Sequence, residues 1–284
     1  MRPAQRVLDV VAELVGGPVQ VADTLVDHQE RCVLDVELPD GRPAVVKGDV
    51  VIERSAREAR VLELAAAGGV PVPVVIARAP GPPTVLVLDR MGGAWLSPDQ
   101  PARAWAATGA ALRRLHGVAV PGLAGLGDRD GWAAGLRGMA THWAPRARAA
   151  ALDEGVVGAT RAAVDRLARS RSEVPPVVTL HGDCVPIHVR LSQDDEVVGL
   201  LDLGDACRGD PAWDLAVLTM RSPERLPAVL DGYRADPDLR AWAARAWPVY
   251  RALRLVAEVG WLAEHSFDPT DAIREATSAA HATL

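Results

Sequence analysis

The chain of 284 residues predicts an α+β fold: a small N-terminal antiparallel-sheet lobe with one main helix, then a larger, mostly helical C-terminal lobe. Three observations predict it. Strand-like stretches crowd into the first ninety residues and are joined by turn signals. Helical spacing dominates the rest of the chain, and one segment, Val178 to Ala216, interrupts the helices with short strands and a concentration of Asp and His.

Each element has its own justification. In 3–15, Val7, Val10, Val11 and Leu14 fall on one face of a helix. Val19 to Leu25, Cys32 to Leu38 and Pro43 to Lys47 read as strands, the last two joined by PDGR, whose Asp-Gly pair suits a tight hairpin. The Ala-, Leu-, Glu- and Arg-rich stretch Ile52 to Ala67 stops at Gly68-Gly69, the signature of a glycine-terminated helix. Val74 to Ala77 and Thr84 to Leu88 complete the sheet around an APGPP turn. DRMGG comes next, where strand pattern gives way to helical pattern, and the lobe boundary is expected there, dividing the chain into 1–90 and 91–284.

Helices are expected over Pro101 to His116, Gly131 to Ala144, Ala159 to Ala168, Pro211 to Met220, Glu224 to Arg234, Asp238 to His265 and Thr270 to Ala280. Pro248 should kink or break the longest of them, because proline removes one helical donor and clashes with the preceding turn. No internal repeat is visible.

Composition narrows the function. Apolar residues make up 49% and charged residues 24%, an ordinary soluble globular balance. A net charge of −6 argues against a nucleic-acid binder, which needs a basic face to neutralise phosphates. The N-terminus carries Asp9 and Glu13 and has no long apolar run, so neither a signal peptide nor a membrane span is expected. Cys32, Cys184 and Cys207 lack CxxC spacing and suit reduced thiols in the cytoplasm. Of 31 basic residues only Lys47 is lysine, in a chain whose composition otherwise selects arginine. Ammonium and guanidinium are not interchangeable at a phosphate, so the one lysine retained draws attention.

In VTLHGDCVPIHVRLSQDDEVVGLLDLGDACRGDPAWDLA, Asp183 and His188 come after one strand, and the strand Val197 to Leu201 delivers Asp202: a candidate base and two candidate metal ligands. The pattern HGDxxPxH followed by LDxGDxxxGDPxxDLA resembles the aminoglycoside and macrolide phosphotransferases, small-molecule kinases with a protein-kinase-like fold. About forty contiguous residues carry the resemblance. It implies a bilobal fold, ATP or GTP as phosphoryl donor, Mg²⁺, and a small-molecule hydroxyl as acceptor.

The resemblance also implies roles. Asp183 would act on the acceptor hydroxyl, Lys47 would hold the α and β phosphates with Glu58 fixing its amine, and Asp202 would bind Mg²⁺. Backbone near Leu88 to Met91 would meet the nucleotide base. His188 replaces the asparagine of most kinase-like enzymes, as in the macrolide phosphotransferases; imidazole is a softer ligand than an amide oxygen, and His188 is a candidate for the second metal position or for phosphate contact. The segment LVDHQER departs from the expected flap between the first two strands, because it has no glycine.

Other residues have plainer readings. His181 is expected to orient the loop. Asp210, before Pro211, suits a helix start, so Asp210 and Asp214 read as braces; Asp205 is divided between loop stabiliser and outer metal partner. On Asp238 to His265, Trp247, Tyr250, Arg254, Glu258, Trp261 and His265 recur at spacings of three and four. That stripe either lines an acceptor site, with Glu258, Trp261 and His265 as contacts, or is a packed face with an Arg254 to Glu258 ion pair. Antibiotic acceptors and a resistance or self-protection role are the leading implication. A kinase of a metabolite such as an amino alcohol, a non-catalytic nucleotide binder, and a metallohydrolase using His181, Asp183, His188 and Asp202 are the alternatives.

Overall fold

A computed structural model describes residues 3–28, 31–49, 52–81, 83–123, 125, 129–170 and 175–283. Two compact units emerge, Met1–Pro121 with Pro186–Ala206, and Gly122–Val185 with Cys207–Leu284. This differs from a single division at residue 90. The first helix after DRMGG and the two strands flanking Ser192 to Glu196 group with the N-terminal sheet, because the chain leaves that unit and returns to it.

The first unit opens with α1 (Pro3–Val15), whose Val7 and Val11 are buried against the sheet as the apolar spacing requires. The sheet contains β1 (Gln20–His28), β2 (Arg31–Glu37), β3 (Pro43–Asp49), β4 (Val75–Ala79) and β5 (Thr84–Asp89) in the order β1-β2-β3-β5-β4, each adjacent pair antiparallel. Val46, Val85 and Val87 fill its core with Leu34 and Val36. The PDGR hairpin closes through Leu38 N–H to Arg42 O at 2.9 Å, and Gly41 takes φ +82°, a conformation that favours glycine. Between β3 and β4, α2 (Ile52–Ala67) ends with Val70 N–H on Ala65 O at 3.0 Å and Gly69 at φ +72°.

Further along this unit, β6 (Ala94–Trp95), β8 (Val189–Leu191) and β9 (Val197–Leu200) form a small antiparallel sheet, and α3 (Ala102–His116) packs on β9. The glycine-free connection expected as a flap includes residues 29 and 30, and the APGPP turn includes residue 82; these three positions lie outside the described residues.

The second unit contains α4 (Arg129–Ala149), α5 (Glu154–Ala168), β7 (Val178–Leu180), β10 (Cys207–Gly209), α6 (Ala212–Thr219), α7 (Leu226–Tyr233), α8 (Pro237–Glu264) and α9 (Thr270–His281). β7 and β10 pair antiparallel, and α8 packs against α4, α5, α6 and α9. Leu255, Val256 and Val259 of α8 bury with Val157 of α5 and Ala276 of α9.

Sequence expectation and structure part at three places here. α8 runs unbroken through Pro248, and α4 continues through Pro145, past the expected end at Ala144. One proline costs about 3 kcal/mol in a helix interior. Burial of Trp242, Val249, Tyr250 and Leu253 along the same helix outweighs it. α5 starts at Glu154 rather than Ala159, because the Asp153 side chain accepts from Gly155 N–H at 2.8 Å and caps a turn that bears two glycines. Among the described residues, no helix is long and apolar enough to cross a membrane.

Candidate active site

In the first unit the site grows from the pleat of β3. Ala44 and Val46 point into the core, so Lys47 points to the other face, towards α2. Its ammonium pairs with Glu58 of α2, and both side chains are almost wholly buried. The next residue must be small, since a Cβ at Gly48 would lie 2.3 Å from a Val7 methyl carbon and 2.9 Å from Cys32 Sγ.

Asp202 ends the strand pattern of β9 in a left-handed conformation, φ +58° and ψ +61°, uncommon for a residue with a side chain. The short 3₁₀ turn Leu203–Asp205 beyond it is held by α2: Arg57 donates to Gly204 O from Nε at 3.0 Å and Nη2 at 2.8 Å, and Arg54 pairs with Asp205 at 2.8 Å. One helix therefore carries the Lys47 partner and also clamps the Asp202 turn.

Three cationic or basic groups face the Asp202 carboxylate. Oδ1 accepts from Lys47 Nζ at 3.1 Å and Arg31 Nη2 at 3.0 Å, while His188 Nε2 is 3.9 Å from Oδ2. Burial works to raise the carboxyl pKa, but the charges of Lys47, Arg31 and His188 outweigh it and hold Asp202 well below the usual carboxylate range. His188 lies in the 3₁₀ turn Pro186–His188, and its carbonyl accepts from Leu201 N–H at 2.8 Å, which ties it to the approach to Asp202. Leu88 is buried in β5, between β3 and β4, and Met91 lies against Gly199 of β9, where a Cβ would meet its side chain at 3.3 Å.

In the second unit, Asp183 lies after β7 in a loop held from α6. Asp214, fully buried, accepts from His181 N–H at 2.7 Å and Gly182 N–H at 3.0 Å, and Trp213 Nε1 donates to Gly182 O at 2.9 Å. Gly182 takes φ +87°, which explains glycine between the histidine and the aspartate. Asp183 Oδ1 accepts from Arg254 of α8 at 2.8 Å.

Asp210 braces the other end of the loop. Its Oδ1 accepts from Ala212 N–H at 2.9 Å; its Oδ2 accepts from Trp242 Nε1 at 2.6 Å and from the Tyr250 hydroxyl, which itself accepts from Trp132 Nε1 at 2.9 Å. Burial first, and then the Asp210 charge, pushes the Tyr250 hydroxyl well above its ordinary pKa. Cys184 is fully buried, and burial with the charges of Asp214 and Asp183 pushes its thiol far up, so the residue beside Asp183 is no nucleophile.

The α8 stripe carries charged pairs at one level and stacked rings at another. Glu258 accepts from Arg221 at 2.8 Å and lies 3.8 Å from Arg254. Trp261 stacks on His265 at 4.3 Å and on Phe267 at 5.7 Å between centroids, and Trp261 and Phe267 are exposed. Lys47, Glu58, His188 and Asp202 are brought together in one unit, and Asp183, His181, Asp210 and Asp214 in the other. Asp205 is held by Arg54.

Arg31, Arg54 and Arg57 escaped sequence reasoning. The i,i+4 spacing to Glu58 was a signal for Arg54 alone, and arginine is too common in this chain for Arg31 or Arg57 to stand out. Among the described residues, no group of three or more His, Cys, Asp or Glu is arranged to hold a metal ion. A hard cation at Asp202 would need its remaining oxygens from groups other than these side chains.

The model of the phosphotransferase enzyme family matches residues 39–253. This chain belongs to that family. It is a kinase-type phosphotransferase acting on a hydroxyl group. The fold is shared with aminoglycoside phosphotransferase APH(4)-Ia, at 16% identity and TM-score 0.68 over 98% of both chains, thermostable mutants of which form ternary complexes with ADP or AMP-PNP and hygromycin B. It is shared equally with macrolide 2'-phosphotransferase MphH from Brachybacterium faecium, at 20% identity and TM-score 0.65 over 97% of both chains. A candidate fructosamine-3-kinase from Thermobifida fusca YX-ER1 matches at 22% identity and TM-score 0.70 over 98% of both chains. No curated protein matches the chain significantly.

Proposed function

We propose that this phosphotransferase moves the γ-phosphate of ATP or GTP to a hydroxyl of a small molecule, and that the pairing of the single lysine with both Glu58 and Asp202 is the observation that carries this reading. A lysine held by one carboxylate and beside a second is what a polyphosphate with a metal ion requires. Lys47 binds the α and β phosphates, Glu58 fixes its amine, and backbone near Leu88 and Met91 meets the base. Asp202 holds Mg²⁺, with His188 as its neighbour or as a phosphate contact. The metal neutralises charge on the phosphates.

Asp183 orients the acceptor hydroxyl and accepts its proton as the new O–P bond forms and the bond to the β-phosphate oxygen breaks. His181, Asp210 and Asp214 hold its loop, and Arg254 fixes its Oδ1. Asp205 supports the Asp202 turn through Arg54.

The acceptor meets Trp261 and His265, whose stacked rings with Phe267 offer an apolar face for a sugar or macrocycle. Glu258 serves this face by holding Arg254 and Arg221 in place. An aminoglycoside or macrolide, modified for resistance or self-protection in the cytoplasm, is the preferred acceptor class. A sugar-amine metabolite is the second, favoured by likeness to the fructosamine-3-kinase candidate.

Purified protein incubated with Mg²⁺, ATP or GTP and panels of both acceptor classes, read by mass, tests this. Gain of one phosphoryl group by one class, lost in Asp183→Asn, is the expected result. Transfer that persists in Asp183→Asn overturns the assignment of the base.

A further inference from the structure

Arg31 is the one cation of the Asp202 cluster for which the proposed mechanism has no use. It opens β2 and pairs with Asp49 of β3, while Val33 pairs with Lys47. Side chains two apart on a strand share a face, so Arg31 and Lys47 project from the same face as diagonal neighbours, about 7–8 Å apart at the backbone. Both reach the same oxygen of Asp202. The Arg31 side chain is only 13% exposed, and its buried Nε has no hydrogen-bond partner among the described residues. An unpaired buried donor on a charged group is costly and calls for an acceptor.

The strand before Arg31 belongs to LVDHQER, the segment that offers no glycine for backbone contact with phosphates. A guanidinium supplies several donors in a rigid fork that matches phosphate oxygens, with a full positive charge that backbone amides lack. We infer that Arg31 is a second phosphate-binding residue, which with Lys47 cradles the polyphosphate of the nucleotide and replaces the contacts a glycine-rich flap would make. This rests on the nucleotide-dependent reading above. Asp202 gathers the two cations on one face, and a phosphate oxygen would meet the part of the Arg31 guanidinium side chain that stays exposed.

The test is calorimetric titration of wild type, Arg31→Met and Arg31→Lys with ATP, GTP, their diphosphates, adenosine and guanosine at fixed Mg²⁺. For the base that wild type accepts, Arg31→Met should weaken the triphosphate and diphosphate about tenfold or more, with the nucleoside unchanged and Arg31→Lys intermediate. Unchanged triphosphate affinity overturns the inference and leaves the phosphotransferase reading intact. Equal loss for the nucleoside overturns it in favour of a structural role, and tighter binding in favour of a blocking one. If wild type binds neither nucleotide, the parent reading falls together with this one.

Discussion

Arg254 of α8 donates to Asp183 Oδ1 at 2.8 Å while its other terminal nitrogen lies 3.8 Å from Glu258, so the candidate base is tied to the long helix that carries the exposed aromatic stack. Trp261 lies seven residues after Arg254, two helical turns, which puts it on the same face about 10 Å further along. One helix therefore links the Asp183 carboxylate to the exposed Trp261.

Arg254→Met should therefore lower kcat more than it raises KM for the nucleotide. A loss of about tenfold to a hundredfold is expected if the arginine only orients the carboxylate. Arg254→Lys keeps the charge without the planar fork and should recover part of the rate. Steady-state kinetics on both variants decides. An equal change in nucleotide KM would place the arginine in donor binding instead.

Asp202 makes stability depend on acid. Its folded pKa is depressed below the unfolded value of about 3.9, so its contribution is fully present above that value and is lost as pH falls through the lower folded one. Asp202→Asn leaves Lys47 and Arg31 short of a counter-charge and should cost about 3 kcal/mol near neutrality. The gap in melting temperature between wild type and variant should shrink below about pH 4. A gap that is constant with pH would show that the carboxylate charge does not matter.

Cys184 and Cys32 should resist alkylation. Burial raises both thiols, whereas Cys207 is half-buried. Native protein treated with iodoacetamide at pH 8 should label first at Cys207, and at the other two only with denaturant, as peptide mass mapping will read. Because the raised thiols stay protonated in the folded state, they also withdraw stability as pH rises through the unfolded value of about 8.5.

Tyr250→Phe removes a hydroxyl that donates to Asp210 and accepts from Trp132. The bond to a charged acceptor makes a loss of about 2 kcal/mol the expected result in denaturant titration. Tyr250 has a raised folded pKa, so wild type should lose stability above about pH 10, and the variant should lose less of it over the same range.

Much of this was legible in the chain. Strand and helix periods placed the elements of the sheet within a few residues, and Gly41 and Gly69 marked turns that do adopt positive φ. Pro145 and Pro248 misled, because a local rule about proline cannot weigh the burial of a helix that packs on four others. The contact of Glu258 with Arg221 was not legible, because the two lie 37 positions apart with no periodic relation.

The sequence by itself determined the order of sheet and helices, the single lysine, and the Asp and His of the segment from Val178 to Ala216, since these depend on local period, turn chemistry and residue type. The tertiary structure alone decided which of 30 arginines matter. Arg31 meets Asp202 across 171 positions, and Arg254 meets Asp183 across 71. Such pairings arise from how strands register and helices pack, and no short-range pattern encodes them.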